Sequence, residues 1–396
     1  MGNVTVIVGA DKRRTFLPAV GIGPTRPGRA EFPRLSGIGG RIPAVSERVL
    51  STRELNRAVL ARQLLLERST LSPERAVEQV AGLQTQYSPS GYVGLWTRLA
   101  DFRRDTLTDA LLAGRIVQAW MMRCTIHMVS ARDYSPFTAA VREDRRSWWR
   151  RATKASTELD MPAAAEAVRG YLAGGPLKQA EIQARLDADG LPRAVWPGVQ
   201  LWLDLVRVPP AGTWGTPRAH VYGLAEHTVP TPDPPPTEAT GRAELVTRYL
   251  GAFGPASAKD IASFCGWNVT TTRAVLAGLP LRRFRDEVGG ELVDVPQAPL
   301  PAADTPAPVR FLGQWEAILL VHARRGQILP ECYRPRVFAT SIPQSVPTFL
   351  VDGQVAGTWR YVDGKVRCEP FHELRAADRA ELTAEADRLA AFHQPG

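Results

Sequence analysis

At 396 residues and 44% apolar content, the chain is long enough for several packed domains, and it offers no run of about 18 apolar residues for a membrane span. Its four cysteines, Cys124, Cys265, Cys332 and Cys368, lie far apart without CxxC spacing, which argues against a zinc site or a secreted disulfide framework and for reduced thiols in a cytoplasm. A formal charge of +9 favours a polyanionic partner or simple solubility.

Residues 1–48 are rich in Gly, Pro and Arg and show no sustained helical or strand period. They hold eight basic and three acidic residues, a net of +5, so more than half of the excess charge sits there. The expectation is a disordered basic extension. No apolar h-region follows the positive residues, so it does not read as a secretory signal. A translation start further downstream, at Val49 or a neighbouring valine, and a basic arm touching nucleic acid are the other readings.

Residues 49–155 read as a first helix-turn-helix unit. Ser51 starts a helix whose apolar positions Leu55, Val59, Leu60, Leu64 and Leu65 recur at 3.6 spacing. Ser72-Pro73 starts a second, with a capping serine and a proline in its first turn. Its end carries Gln84-Thr85-Gln86. Tyr87, Ser88, Pro89 and Gly91 follow at once, so the helix is expected to stop near Gln84. Residues i and i+2 point the same way in an extended or irregular backbone, and both carboxamides then share one cavity. Two solvated polar residues at a frayed helix end is the alternative.

Tyr92–Leu99 and Thr106–Ala113 are two further short helices. Arg115 to Val129, with β-branched and aromatic residues in partial alternation, predicts a wing-like hairpin. Arg123, Thr125 and His127 fall at i, i+2 and i+4, so they are expected on one strand face. That face either lines a groove for phosphate or sugar or is simply solvated. From Arg142 to Lys154, arginines interleave with Trp148 and Trp149. This suits a nucleic-acid surface, or a charged helix with its tryptophans buried.

Residues 156–236 form a second expected unit, with helices at Ala163–Leu172, Lys178–Leu186 and Ala194–Val206 and then strands reaching Val221. Three helices and a hairpin is the winged-helix order. Residues 237–300 repeat it, with helices at Arg242–Ala252, Ala258–Cys265 and Thr270–Leu279 and a hairpin around Gly289-Gly290. In 301–396, Val309–Val321, Thr348–Val351, Gln354–Tyr361 and Lys365–Pro370 read as strands. Asp352-Gly353 and Asp363-Gly364 mark tight turns, and Ala376–Phe392 is a final helix. The expected fold class is mainly α with small β-sheets: tandem winged-helix (helix-turn-helix) units plus a C-terminal β-rich region.

In the order and spacing of several short motifs, the chain resembles the AlkZ/AlkX (YcaQ-like) DNA glycosylase family over about residues 50–395. The motifs are Leu55-Asn56-Arg57, Ala61-Arg62-Gln63-Leu64-Leu65, Gly82-Leu83-Gln84-Thr85-Gln86, Arg123-Cys124-Thr125-Ile126-His127, Gly254-Pro255-Ala256-Ser257, Asp260-Ile261-Ala262, His322-Ala323, Phe349-Leu350-Val351-Asp352-Gly353 and Val355-Ala356-Gly357-Thr358-Trp359-Arg360. The Gln-Thr-Gln run looks like the two-glutamine AlkZ branch rather than the branch with Asp at the third position, although its middle residue is not strictly apolar. Gln314-Trp315-Glu316-Ala317 departs from the acidic-aromatic run of relatives. The resemblance implies Gln84 and Gln86 as catalytic residues. The face of Arg123, Thr125 and His127 is expected in the same cleft, gripping the DNA backbone with Arg123 as the phosphate contact, or with His127 holding a backbone carbonyl instead; Arg360 is a further expected DNA-binding residue.

A carboxamide is a poor general base, but it donates and accepts hydrogen bonds at once. It can hold a water beneath the sugar C1′ and stabilise developing charge. That suffices when the leaving group is already good, as an N7-alkylated purine is. No lysine lies near the motif for a Schiff base, and Cys and His lack metal-ligand spacing. The expectation, with the substrate class supplied by the resemblance, is a monofunctional DNA glycosylase that removes N7-alkylated purines, bulky or crosslinked, from double-stranded DNA, with no metal or cofactor. It would be monomeric, cytoplasmic and nucleoid-associated, and would serve alkylation repair or genotoxin self-resistance. A non-catalytic winged-helix DNA-binding regulator and a protein-binding scaffold are the competing readings.

Overall fold

The computed structural model describes residues 48–153, 159–192, 195–320, 326–338 and 345–394. The expected basic extension, apart from Arg48, and the His322-Ala323 pair lie outside the described residues.

The described chain opens with β1 (Val49–Leu50), α1 (Thr52–Arg62) and α2 (Pro73–Gln79). Ser51 caps α1 reciprocally: its hydroxyl accepts from the Glu54 N–H, and the Glu54 carboxylate accepts from the Ser51 N–H at 2.8 Å. Together they satisfy donors that the helix leaves open. Ser72 caps α2 in the same sense, with Pro73 in the first turn.

α2 stops five residues short of Gln84. Ala81 and Gly82 take φ of +59° and +84°. A Cβ at Gly82 would sit 3.0 Å from Val129 Cγ1 and 3.2 Å from the Met128 carbonyl oxygen. Glycine meets both demands, a left-handed backbone and a close approach. The chain leaves this turn extended, as β2 (Leu83–Gln84). Then come α3 (Pro89–Trp96), α4 (Arg104–Leu112), β3 (Ile116–Trp120), β4 (Ile126–Ser130) and α5 (Ala131–Ala152). The hairpin predicted within 115–129 is therefore present.

Next are α6 (Met161–Leu172), β5 (Leu177–Lys178), α7 (Gln179–Ala188), α8 (Val195–Trp202), β6 (Leu205–Arg207) and β7 (Val221–Leu224). The helix expected to reach Val206 ends at Trp202, because Leu205–Arg207 adds to a buried sheet instead. Packing overrides local preference there. α9 (Glu238–Phe253), α10 (Ala258–Cys265), α11 (Val269–Ala277), β8 (Arg282–Asp286) and β9 (Glu291–Asp294) follow in the order predicted. The last stretch holds β10 (Arg310–Leu312), α12 (Ala317–Leu320), α13 (Arg334–Val337), β11 (Thr348–Val351), β12 (Gln354–Val362), β13 (Lys365–Pro370) and α14 (Ala376–His393). Val309–Val321 is thus not one strand: the left-handed Trp315, φ +62°, separates β10 from a short helix.

Among the described residues the strands form three sheets. The largest has the order β2-β4-β3-β6-β7-β5 and runs without a break across the 155/156 boundary. A second has the order β1-β8-β9, with β1 parallel to β8, so the first described strand extends the hairpin of residues 282–294. The third is β10-β11-β12-β13. Helix α5 packs along α9, with Tyr134, Phe137, Val141, Leu245, Val246 and Tyr249 in one buried cluster. Each such side chain contributes about 1.5–3 kcal/mol.

Buried polar side chains of α1, and Arg98 just after α3, cross-link distant segments. Asn56 donates to the Gly353 carbonyl at 2.7 Å, and Arg57 pairs with Asp352. Arg62 pairs with Asp294 at 2.7 Å, and Arg98 pairs with Glu316 at 2.8 Å. Motifs scattered in sequence are thus partners in space. Among the described residues no helix is long and apolar enough to cross a membrane.

Candidate active site at the glutamine hairpin

Gln84 is a strand residue, not a helix-end residue. Its Cα is in register with that of His127 on β4, and the Thr85 N–H extends the ladder by donating to the Ile126 carbonyl at 2.8 Å. Extended backbone sends alternate side chains to opposite sides. Thr85 is buried, with its methyl group against the site of Gly91. This gives the middle position of the motif an apolar environment.

The two carboxamides are anchored through their oxygens. Gln84 Oε1 accepts from Arg123 Nη2 at 2.9 Å. Gln86 Oε1 accepts from the Ile126 backbone N–H at 3.1 Å. Guanidinium and backbone N–H groups only donate, so these contacts settle which end of each amide is oxygen. No partner for either Nε2 is found among the described residues.

Arg123, Thr125 and His127 do not share a strand face. β4 begins at Ile126, and Arg123 and Cys124 lie in the connecting turn with φ of +55° and +54°. Two consecutive left-handed residues reverse the chain there, so Arg123 leaves the predicted face, whereas Thr125, extended at φ −122° and ψ 160°, keeps it with His127. The three still gather at one end of the hairpin. Thr125 Oγ1 donates to the Met122 carbonyl at 3.1 Å and lies 3.4 Å from His127 Nδ1.

Arg123 Nη1 donates to the Phe264 carbonyl at 2.9 Å, with the guanidinium 5.5 Å from the Phe264 ring centroid. No carboxylate pairs with it among the described residues. Burial pushes its pKa down to about 10, which leaves it cationic at neutral pH. His127 is buried, and its Nδ1 lies 3.1 Å from the Thr125 carbonyl, an Nδ1–H donor contact. Burial, and then the Arg123 charge, push its pKa down to about 3. His127 is therefore neutral at physiological pH.

Arg360 stands apart. It lies on β12 in the C-terminal sheet, opposite Arg367, with its exposed guanidinium 2.9 Å from Glu369. None of its described contacts reaches the glutamine hairpin. Two supports of the site were not legible in the sequence. One is the Phe264 carbonyl near the end of α10. The other is buried Arg207, which donates to Ser88 Oγ at 3.1 Å and to Gln118 Oε1 at 3.2 Å, anchoring the loop after Gln86. No local pattern marks a contact between residues 119 positions apart. Among the described residues no group of three His, Cys, Asp or Glu side chains is arranged to hold a metal.

Comparison with known proteins adds a lineage to this geometry. The chain is similar to an interstrand DNA cross-link repair glycosylase from Streptomyces sahachiroi, 24% identical over 366 residues that cover 84% of this chain and 93% of that protein. Its fold is similar to the solved structure of the Streptomyces sahachiroi DNA glycosylase AlkZ, with a TM-score of 0.73, 21% identity, and coverage of 87% of this chain and 97% of that one. The family model described as DNA glycosylase AlkZ-like matches residues 77–392, a span that includes the whole glutamine hairpin. The chain belongs to the AlkZ-like family of DNA glycosylases.

Proposed function

We propose that this enzyme is a monofunctional glycosylase that hydrolyses the N-glycosidic bond of N7-alkylated purines in double-stranded DNA. The observation that carries the reading is the pair of oxygen-anchored carboxamides beside a neutral histidine. His127 is too weakly basic to act as a general base. Among the described residues no carboxylate or lysine amine hydrogen-bonds to Gln84, Gln86, Arg123 or His127. A site with no strong acid or base suits a base that departs unaided.

An N7-alkylpurine carries a formal positive charge. When the C1′–N9 bond breaks, its electron pair stays with the purine, which leaves neutral. Water adds to the electron-poor C1′ and sheds a proton to solvent, leaving an abasic sugar. Gln84 and Gln86 hold that water and the developing charge with fixed dipoles, which costs no reorganisation during the reaction. Undamaged purines, whose leaving group is an anion, fit this site badly.

The likeness to an interstrand cross-link repair glycosylase supports bulky or crosslinked purines among the proposed substrates, met in alkylation repair or as self-resistance of a genotoxin producer. The helix order α6-α7-α8 before β6-β7, and α9-α10-α11 before β8-β9, supports tandem winged-helix units on the DNA. Thr125, at the hairpin, and exposed Arg360 are proposed DNA contacts, Arg360 to an outer phosphate. Incubating the protein with a duplex bearing one N7-methylguanine, and with an undamaged duplex, tests the reading. Release of free N7-methylguanine from the first alone is expected. Tight binding without release would favour the non-catalytic regulator.

A further inference from the structure

The two glutamines are held by donors of different strength. Gln86 Oε1 takes a neutral backbone N–H, whereas Gln84 Oε1 takes the charged Arg123 guanidinium. Charge-assisted hydrogen bonds are roughly twice as strong as neutral ones. Such a bond draws electron density from the Gln84 carbonyl, weakening its oxygen as an acceptor and strengthening its Nε2–H groups as donors. Gln86 keeps the more basic oxygen, with a second lone pair available.

We propose that Arg123 is a positioning residue that orients and polarises the Gln84 carboxamide, making Gln84 the donor of the pair and Gln86 the acceptor that orients the attacking water. This rests on the glycosylase reading above. The water must give a hydrogen to an acceptor so that a lone pair points at C1′. Of the two amide oxygens, that of Gln86 serves this need better.

The setting of Arg123 supports positioning over phosphate grip. Nη1 and Nη2 are each engaged with protein oxygens. The cation lies against the carbonyl end of α10, where the helix dipole favours positive charge. That helix end offsets part of the desolvation of the half-buried guanidinium, which no carboxylate pairs with among the described residues. Arg123 thereby fastens a hairpin of the first helical unit to α10, about 140 residues further along (|i−j| = 141 to Phe264).

A double-mutant cycle tests this with single-turnover release of N7-methylguanine from a duplex bearing one such base. Arg123→Met is expected to lower the rate at saturating enzyme by about 30-fold or more, with affinity and its salt dependence unchanged. Arg123→Met with Gln84→Ala is expected to be no slower than Gln84→Ala alone. Arg123→Met with Gln86→Ala is expected to multiply the separate losses. Arg123→Lys, which keeps a charged donor, is expected to recover part of the rate. It replaces Arg123→Met in the cycle if that variant does not fold. Multiplicative losses with both glutamine variants overturn the proposal. So does an intact rate at saturation with a salt slope flattened by about one unit, the mark of a phosphate contact. No release by the wild type overturns the glycosylase reading and this proposal with it; release with multiplicative losses overturns the proposal alone.

Discussion

Gln84 and His127 face each other in register across the β2–β4 ladder, so the motif glutamine has a neutral, buried imidazole as its cross-strand neighbour. His127 has a folded pKa of about 3 against an ordinary value of 6.5. Between those values the unfolded chain binds more protons, so stability rises with pH through that window. The contribution is fully present above about 6.5 and is lost as pH falls toward 3. His127→Asn, which keeps a side-chain N–H for the Thr125 carbonyl, is expected to lose less stability than wild type between pH 7 and pH 4.5. The difference should be on the order of 2 kcal/mol, read by urea unfolding at both pH values. Equal losses in the two proteins would show that His127 is not buried neutral. Asp133, pushed up to about 6 by burial, acts in the opposite direction in both proteins and cancels in the comparison.

Gln84→Ala and Gln86→Ala are each expected to slow base release by roughly 30- to 1,000-fold, corresponding to about 2–4 kcal/mol of transition-state stabilisation. DNA affinity should stay nearly unchanged, because neither amide is assigned to phosphate. Single-turnover rates beside binding isotherms check this. Wild-type rates in both variants would sink the assignment, and joint loss of binding and melting temperature would mark the pair as structural.

Thr85 sits between the glutamines with its hydroxyl buried and without a hydrogen-bond partner among the described residues. An unsatisfied buried hydroxyl costs about 1–3 kcal/mol. Thr85→Val, which replaces the hydroxyl by a methyl group, is expected to raise stability by about 1 kcal/mol while base release stays within about twofold of wild type. A less stable variant in denaturant titrations would mean that the hydroxyl has a partner.

The segment Gln314-Trp315-Glu316-Ala317 holds a buried partner for Arg98, 2.8 Å away. Glu316→Gln leaves the Arg98 guanidinium buried without its counter-charge. The expected loss is about 3 kcal/mol or more, seen as a lower urea midpoint. A midpoint shift worth under about 1 kcal/mol would place the pair in contact with solvent.

The Arg48 carbonyl accepts from the Arg285 N–H at 3.0 Å, and Val49–Leu50 pairs with β8. Removing residues 1–47 is therefore expected to leave melting temperature and activity in place. Removing residues 1–50 should lower the melting temperature by several degrees, since it deletes a strand and the buried Leu50. Equal effects of the two truncations would contradict this boundary.

Local chemistry determined much of this protein from the sequence alone. Capping serines, apolar stripes at 3.6 spacing and Asp-Gly turns act over a few residues, so α1, α2, α9, α10, α14 and the turns at Asp352-Gly353 and Asp363-Gly364 were legible without any tertiary information. The extended backbone that the residues after Gln84 call for was legible for the same reason, since Tyr87-Ser88-Pro89 acts locally. Only the tertiary structure decided that Gln84 is a strand residue: the left-handed Ala81-Gly82 turn is set by close approach to β4, which the local pattern does not show. The tertiary structure likewise moved Arg123 from a strand face into a turn and turned it toward Gln84 and α10. Asn56, Arg57, Arg62 and Arg98 look in sequence like ordinary polar positions on helices. They are buried because their partners, Gly353, Asp352, Asp294 and Glu316, arrive from 218 to 297 residues away. Local preferences select helices and turns, but a buried polar or charged side chain is tolerated only where the fold brings it a counter-charge or hydrogen-bond acceptors, and that is a property of the whole chain.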